Sequence, residues 1–256
     1  EVEFEGQVSQ INTQPLMQTM LCTLLKSNFD GVNVINSVSV AKNKSIQISC
    51  DGGAATGKTT GAKMIAKKYG LSFLSSGLLY RYSSYLIMKH APKNKILFLK
   101  KRIQNLNYDK LHKINLHTPK ISFHSAEIAK ILAIRNILKK YQIKFIKKNR
   151  GCVLEGRDAG TKILPQSDVK FFFKCNLETA AKRRFIELKK RGIKINFKNV
   201  KKALKLRNIS DKKRKHSPLK KAKNAVLVDT SKIGKKAMLT KMSKHIDQKL
   251  KKKYGN

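Results

Sequence analysis

The sequence predicts an α/β fold in which a parallel sheet lies between two layers of helices. Three observations predict it. Short, nearly continuous apolar runs alternate with amphipathic helical stretches from residue 45 onward, the pattern of strands buried on both faces. The first of those runs feeds a glycine-rich loop that opens a helix. Hydrophobic residues make up 41% of the 256 residues, enough for the core of one domain of ~200 residues plus something smaller.

The elements follow in order. Val2-Glu3-Phe4-Glu5-Gly6 alternates like a strand, and Thr13 ahead of Pro15 starts an amphipathic helix that runs to about Lys26. Residues 45–50 read as a buried strand and 57–69 as a helix, with Ala62, Ile65 and Ala66 at helical spacing. Leu71-Ser72-Phe73-Leu74 is a short strand before a helix over 77–90. Residues 91–120 read as irregular and lysine-rich, with Pro92 and Pro119 as breakers. A long helix is expected over 126–148, then strands at 151–154 and 169–173 and helices at 177–191 and 197–214. Residues 225–229 form the last strand and 235–252 the last helix, with Leu239, Met242, Ile246 and Leu250 inward.

Composition narrows the function. No apolar run approaches the ~18 residues of a membrane span and there is no signal peptide, so a cytoplasmic protein without a membrane partner is expected. Cys22, Cys50, Cys152 and Cys175 lack metal-ligand spacing and read as free thiols in a reducing compartment. The net charge of +42 invites a nucleic-acid reading. However, the lysines are spread over every helix face and outnumber the ten arginines several-fold. That describes a solvated basic surface attractive to polyanions, and nucleic acid is not expected as the main partner. Residues 1–45 carry a net charge of −1, against +43 for residues 46–256. Two different pieces therefore join near residue 45: an N-terminal extension over 1–45 and a main domain over 46–256.

The loop carries the chemistry. Gly52, Gly53, Ala54, Ala55, Thr56, Gly57, Lys58 and Thr59 fit G-x-x-x-x-G-K-[ST], and Thr60 continues into the helix. Strand, loop and helix N-terminus are what a polyphosphate needs, because backbone N–H groups then converge on it. Lys58 brings a cation to the β- and γ-phosphates, and the Thr59 hydroxyl is placed to hold Mg²⁺. These residues are the expected ATP site.

Further motifs follow in register. Ser76-Gly77-Leu78-Leu79-Tyr80-Arg81, Glu155-Gly156-Arg157-Asp158-Ala159-Gly160-Thr161, and Arg207, Asp211 and Arg214 in R-x-x-x-D-x-x-R spacing resemble the cytidylate kinases, as do Ser217-Pro218-Leu219 and Val228-Asp229-Thr230-Ser231. The resemblance implies a three-layer P-loop NTPase fold with a small monophosphate-binding insert and a lid. It also implies ATP-dependent, Mg²⁺-assisted phosphorylation of CMP or dCMP by a monomer. In that reading Lys58, Arg157, Arg207 and Arg214 are catalytic. Ser76, Arg81, Arg135, Arg157, Asp158, Arg207 and Asp211 hold CMP, with Arg135 and Asp158 near the cytosine edge. Elementary chemistry agrees: phosphoryl transfer between two anions needs positioning and charge neutralisation, and the planar guanidinium fork suits both. Five of the ten arginines (Arg81, Arg135, Arg157, Arg207, Arg214) fall on motif positions.

Some readings stay open. Asp158 either reads the base or holds Arg157, and Asp51 and Glu155 either order Mg²⁺ waters or cap loops. The lid triplet, on one helix face, is expected to be solvated when open. Departures from the family pattern are Ser75 for an acid, Ala126 (beside Ser125) for a base-contacting serine, His117 for an arginine, and a shortened insert. Residues 1–45, with Asn12-Thr13-Gln14-Pro15-Leu16 and Val32-Asn33-Val34-Ile35-Asn36, resemble part of the intermediate domain of D-3-phosphoglycerate dehydrogenases, without a catalytic constellation. The rival readings are another small-molecule kinase of the same fold, and a non-enzymatic basic RNA-binding protein with a relic loop. The retained lid triplet speaks against the relic.

Overall fold

Five strands, β1 (Gln47–Gly52), β2 (Ser72–Ser75), β3 (Cys152–Gly156), β4 (Val169–Lys174) and β5 (Val226–Asp229), pair in parallel in the order β2-β3-β1-β4-β5. They belong to a computed structural model that describes residues 13–26 and 45–254. Because every strand runs the same way, all their C-terminal ends lie along one edge. The chain builds β2 and β3 on one side of β1, then crosses to β4 and β5 on the other. The crevice above the end of β1 is therefore the switch point where α/β sheets bind ligands.

One face of the sheet is covered by α2 (Lys58–Lys68) and α9 (Lys235–Tyr254). Ala62 and Ile65 from the first helix, and Met242, Ile246 and Leu250 from the second, pack with Ile48, Cys50, Phe171 and Phe173. The other face is covered by α3 (Ser76–His90) and α6 (Leu132–Lys148), whose Leu79, Ile134 and Leu138 meet Leu74 and Leu154. A third cluster joins α7 (Leu177–Lys190) to α8 (Phe197–Lys213) through Ala181, Leu188, Val200 and Leu204.

The stretch 91–120, expected to be irregular, contains the helix α4 (Lys95–Gln104) and a 3₁₀ turn (Asp109–Lys113). Asn94 caps that helix by accepting the Leu97 N–H at 3.0 Å, and Leu99 and Ile103 anchor it in the core. Lysines on its outer face hid this two-residue stripe. The single helix expected over 126–148 is two: α5 (Pro119–Ile128) and α6. Thr118 starts α5 by accepting the Ile121 N–H at 3.2 Å, with Pro119 in its first turn. The break at 129–131 has a use, since it frees the Ala129 carbonyl to accept Arg135 Nη1 at 3.0 Å.

In the extension, α1 (Gln14–Lys26) begins where Thr13 and Pro15 place it. Cys22 on that helix is buried in the same cluster as Ile46 and Ile48, with Leu21 packed against it. The strand expected over residues 2–6 and the segment 32–36 lie outside the described residues. Among the described residues no helix is long and apolar enough to cross a membrane, and Cys50, Cys152 and Cys175 are free thiols.

Candidate active site

The phosphate loop leaves β1 at a point only glycine can occupy. A Cβ on Gly52 would stand 2.5 Å from the Phe173 carbonyl oxygen of β4. Gly57 takes a left-handed φ of 81° to turn the chain into α2. The loop is braced from three directions. Thr56 Oγ1 donates to the Gly53 carbonyl at 3.0 Å, Thr230 Oγ1 to the Thr56 carbonyl at 2.8 Å, and the Ala54 N–H to Asn208 Oδ1 at 3.0 Å. Arg183 in turn holds Thr230, donating through Nη1 to its hydroxyl at 2.9 Å and through Nη2 to its carbonyl at 2.7 Å. Asn208 and Arg183 were not among the expected residues. The only signals for them are the place of Asn208 inside the lid spacing and that of Arg183 in the pair Arg183-Arg184, outside the motifs.

Lys58 is buried in this loop, with Nζ 3.2 Å from the Gly53 carbonyl and 3.3 Å from Glu155 Oε1. Burial, then the neighbouring Arg157, pulls its pKa down to about 8, with Glu155 opposing. Burial would raise the Glu155 pKa, but Lys58 and the Ser75 hydroxyl, which donates to it at 2.5 Å, outweigh that and lower it. Ser75, the departure from an acid, thus bonds Glu155 and also caps α3 through the Leu78 N–H at 3.3 Å. Asp51 serves the neighbouring turn: its carboxylate accepts the N–H groups of Ala159 and Gly160 at 2.8 and 2.7 Å. Burial nonetheless pushes its pKa up to about 7. The Thr59 hydroxyl is exposed and makes no hydrogen bond among the described residues.

Beside the loop, cations converge on two carboxylates. Asp211 is 2% exposed and faces Arg157 Nε at 2.9 Å, Arg207 Nε at 3.3 Å and Arg214 Nη1 at 3.6 Å. Burial would raise its pKa, but Arg157, Arg207 and Arg214 outweigh that and hold it at about 2. Asp158 is ion-paired with Arg135 and lies 4.0 Å from Arg214 Nη2. Arg81 has no carboxylate bond among the described residues. It donates to the Ser122 hydroxyl at 2.5 Å and to the Leu116 carbonyl at 3.3 Å. Burial, then Arg184, Arg207 and Arg157, pulls its pKa down to about 9. Four arginines thus face two carboxylates, with Arg81 as a fifth cation beside them, and the surplus suits a phosphate dianion. The Arg214 Nη2 nitrogen is buried and has no hydrogen-bond partner among the described residues.

The structure brings Lys58, Arg157, Arg207, Asp211, Arg214, Arg135 and Asp158 into one crevice. Asp158 holds Arg135, whereas Arg157 is held by Asp211. The Ser76 hydroxyl is buried and accepts Gln142 Nε2 at 2.5 Å. The lid residues are not solvated, and they do not share one helix. α8 ends at Lys213, and Arg214 turns out into an extended conformation with Nε on the Ser217 carbonyl at 2.7 Å. Convergence of three arginines on one carboxylate is what draws them inward. His117, the departure from arginine, is neutral at pH 7: burial, then Arg81, lowers its pKa to about 4. Ala126 offers no hydroxyl, and Ser125 turns its own to the Ser122 carbonyl at 2.8 Å.

With this geometry in place, comparisons with known proteins agree. The family model "Cytidylate kinase" matches residues 48–248. The cytidylate kinase of Thermosipho melanesiensis is 35% identical over 215 residues, 80% of this chain and 98% of its own length. That of Bartonella tribocorum is 37% identical over 209 residues, 80% and 95% of the two chains. That of Fusobacterium nucleatum is 32% identical over 214 residues, 79% and 98%. A second model, "D-3-phosphoglycerate dehydrogenase intervening domain", matches residues 1–68 and so overlaps the first through β1, the phosphate loop and α2.

Proposed function

The chain belongs to the cytidylate kinase family, and from that premise we propose that it transfers the γ-phosphoryl group of ATP to CMP or dCMP. The observation that carries this reading is the crevice beside the phosphate loop, where four arginines face two carboxylates, Arg81 stands beside them on neutral oxygens, and one buried guanidinium nitrogen lacks a hydrogen-bond partner among the described residues. Steady-state ATP turnover with a panel of nucleoside monophosphates tests it. CMP or dCMP should give the highest kcat/KM. A different monophosphate in that place would favour the sister reading that Ala126 and the shortened insert suggest, and no turnover with any would remove the kinase reading.

The residues divide the work by position. Gly52 to Thr60 wrap the donor phosphates with backbone N–H groups, and Lys58 exchanges Glu155 for the stronger phosphate anion. Arg81 and Arg157 grip the acceptor phosphate, while Arg135 and Asp158 meet the base edge. Asp211 holds Arg157, Arg207 and Arg214 in one array, so Arg214 stands ready for the migrating group. An oxygen of the CMP phosphate forms the new bond to the γ-phosphorus as the bond to the β-phosphate oxygen of ATP breaks. The charge passes to ADP. The exposed, unbonded Thr59 hydroxyl fits Mg²⁺ brought in with ATP, because that ion keeps most of its waters and phosphate ligands. When bound, Mg²⁺ neutralises charge across the β- and γ-phosphates.

Replacing Arg157 by Lys keeps the charge but loses the fork. The CMP KM should rise about tenfold or more, with far less change in the ATP KM. An effect confined to ATP would put Arg157 on the donor side.

The division into an extension (1–45) and a kinase domain (46–256) is part of the same proposal, as is a cytoplasmic monomer. The crevice draws on residues from Asp51 onward. Deletion of residues 1–44 should therefore leave kcat within about twofold. It also uncovers the patch under Cys22 and Leu21, which should cost ~2 kcal/mol and lower Tm by about 4–8 °C. A truncated chain that folds but has lost turnover would assign the extension to the active domain.

A further inference from the structure

Three arginines from three different helices end on one residue of the insert that the phosphate-clamp motifs do not include. Ser122 on α5 accepts Arg81 Nη1 (from α3) on its hydroxyl at 2.5 Å. Its backbone carbonyl accepts Arg207 Nη1 (from α8) at 2.8 Å. Arg184 of α7 reaches the same hydroxyl through Nη2 at 3.5 Å, anchored by the His117 carbonyl at 3.3 Å and by Glu187 at 2.8 Å. The hydroxyl proton is already committed, since Ser122 Oγ donates to the Thr118 carbonyl at 2.7 Å. Its lone pairs are thereby left as acceptors, aimed away from the helix axis. Guanidinium groups repel one another; Arg207 is paired with Asp211 and Arg184 with Glu187, whereas the bonds given for Arg81 go to neutral oxygens. A neutral acceptor that ties them without neutralising them keeps their charge for an incoming anion.

We propose that Ser122 is a positioning residue for the acceptor phosphate. Its hydroxyl orients Arg81 and its carbonyl orients Arg207, which joins the insert, the helical layer and the lid into one preformed clamp, with Arg184 as the brace behind it. The proposal rests on the acceptor-site reading above. It adds a requirement that reading does not contain: a neutral side-chain oxygen at position 122.

The test compares Ser122→Ala with Ser122→Thr in the full chain. Threonine keeps an oxygen that can bond the carbonyl one turn back, whereas alanine removes it and leaves the backbone carbonyl for Arg207 untouched. Loss of a hydrogen bond to a charged group should raise the CMP KM about tenfold in the alanine variant. The ATP KM should stay within about twofold, and threonine should return the CMP KM to near the parent value. Thermal melting of both variants checks that the fold is kept. A CMP KM unchanged in Ser122→Ala, equal losses for CMP and ATP, or no rescue by threonine would each overturn the proposal while leaving the kinase reading in place. A parent chain inactive on every monophosphate would take both down together.

Discussion

Lys58→Ala should abolish phosphoryl transfer, with turnover falling by about a thousandfold or more, the scale seen when a transition-state cation is lost. The ammonium contributes charge at the transferring phosphates that no neighbour can supply, because Arg157 beside it is committed to Asp211. The same substitution leaves Glu155 buried without its ion-pair partner, retaining only the Ser75 hydroxyl. An orphaned buried carboxylate is costly, so Tm should fall as well. The sign of its pH dependence follows from Glu155. In the parent its folded pKa is lowered, so its stabilising contribution is present above the unfolded value near 4.5 and lost as pH falls through the folded one. Without Lys58 the burial cost of the carboxylate is opposed only by the Ser75 hydroxyl and Arg157. The variant's stability deficit should then be largest at neutral pH and vanish as pH falls below about 4.5. Adding Glu155→Gln should restore Tm at pH 7 but not turnover. Appreciable turnover in the single variant, or recovery of activity in the double, would show that Lys58 acts through the fold and not through the phosphates.

The donor half of the site was legible because its parts are contiguous. A strand, eight loop residues and a helix start stand next to one another in the chain, and Gly52 and Gly57 announce the close approach and the left-handed turn. The acceptor half was legible only as a set of arginines at family spacings. Which carboxylate holds which arginine was not, since Arg157–Asp211 and Arg135–Asp158 close over 54 and 23 residues and no local pattern records such pairings. The same holds for Asp51: it ends β1, yet its carboxylate works on the turn at Ala159 and Gly160, more than a hundred residues later. The insert was misread for a different reason. Its helices α4 and α5 bury two to four residues each and present lysines elsewhere, so the apolar stripe is too narrow to stand out against the basic composition. Asn94 and Thr118, the caps that start them, were the available signals. Arg214 shows the limit of helical spacing as an argument. Residues 207, 211 and 214 were expected on one helix face, and they do meet, but because the chain leaves the helix before Arg214 and brings it back to Asp211 from the far side.

That exit from the helix makes Arg214 the residue whose removal should separate rate from binding. Its Nε is fixed by the Ser217 carbonyl at 2.7 Å and its Nη1 stands 3.6 Å from Asp211 Oδ1. Its Nη2 is buried, 4.0 Å from Asp158 and without a hydrogen-bond partner among the described residues. A buried guanidinium nitrogen left in that condition is costly unless something else binds it. Burial, followed by Arg135, also disfavours its charge. Both costs are relieved most by a group whose negative charge grows between donor and acceptor, which is the migrating phosphoryl group. In the proposed function Arg157, Arg207 and Arg81 supply the ground-state grip on CMP, and the loop supplies that on ATP. Arg214→Ala should therefore lower kcat by about a hundredfold or more while the dissociation constants of ATP and CMP each change less than about threefold. Asp211 keeps Arg157 and Arg207 in the variant, so the array should not collapse, and Tm should fall by no more than a few degrees. Equal losses in rate and in CMP affinity would make Arg214 one more ground-state clamp. An unchanged kcat would remove it from the chemistry and leave its buried nitrogen as a matter of folding alone.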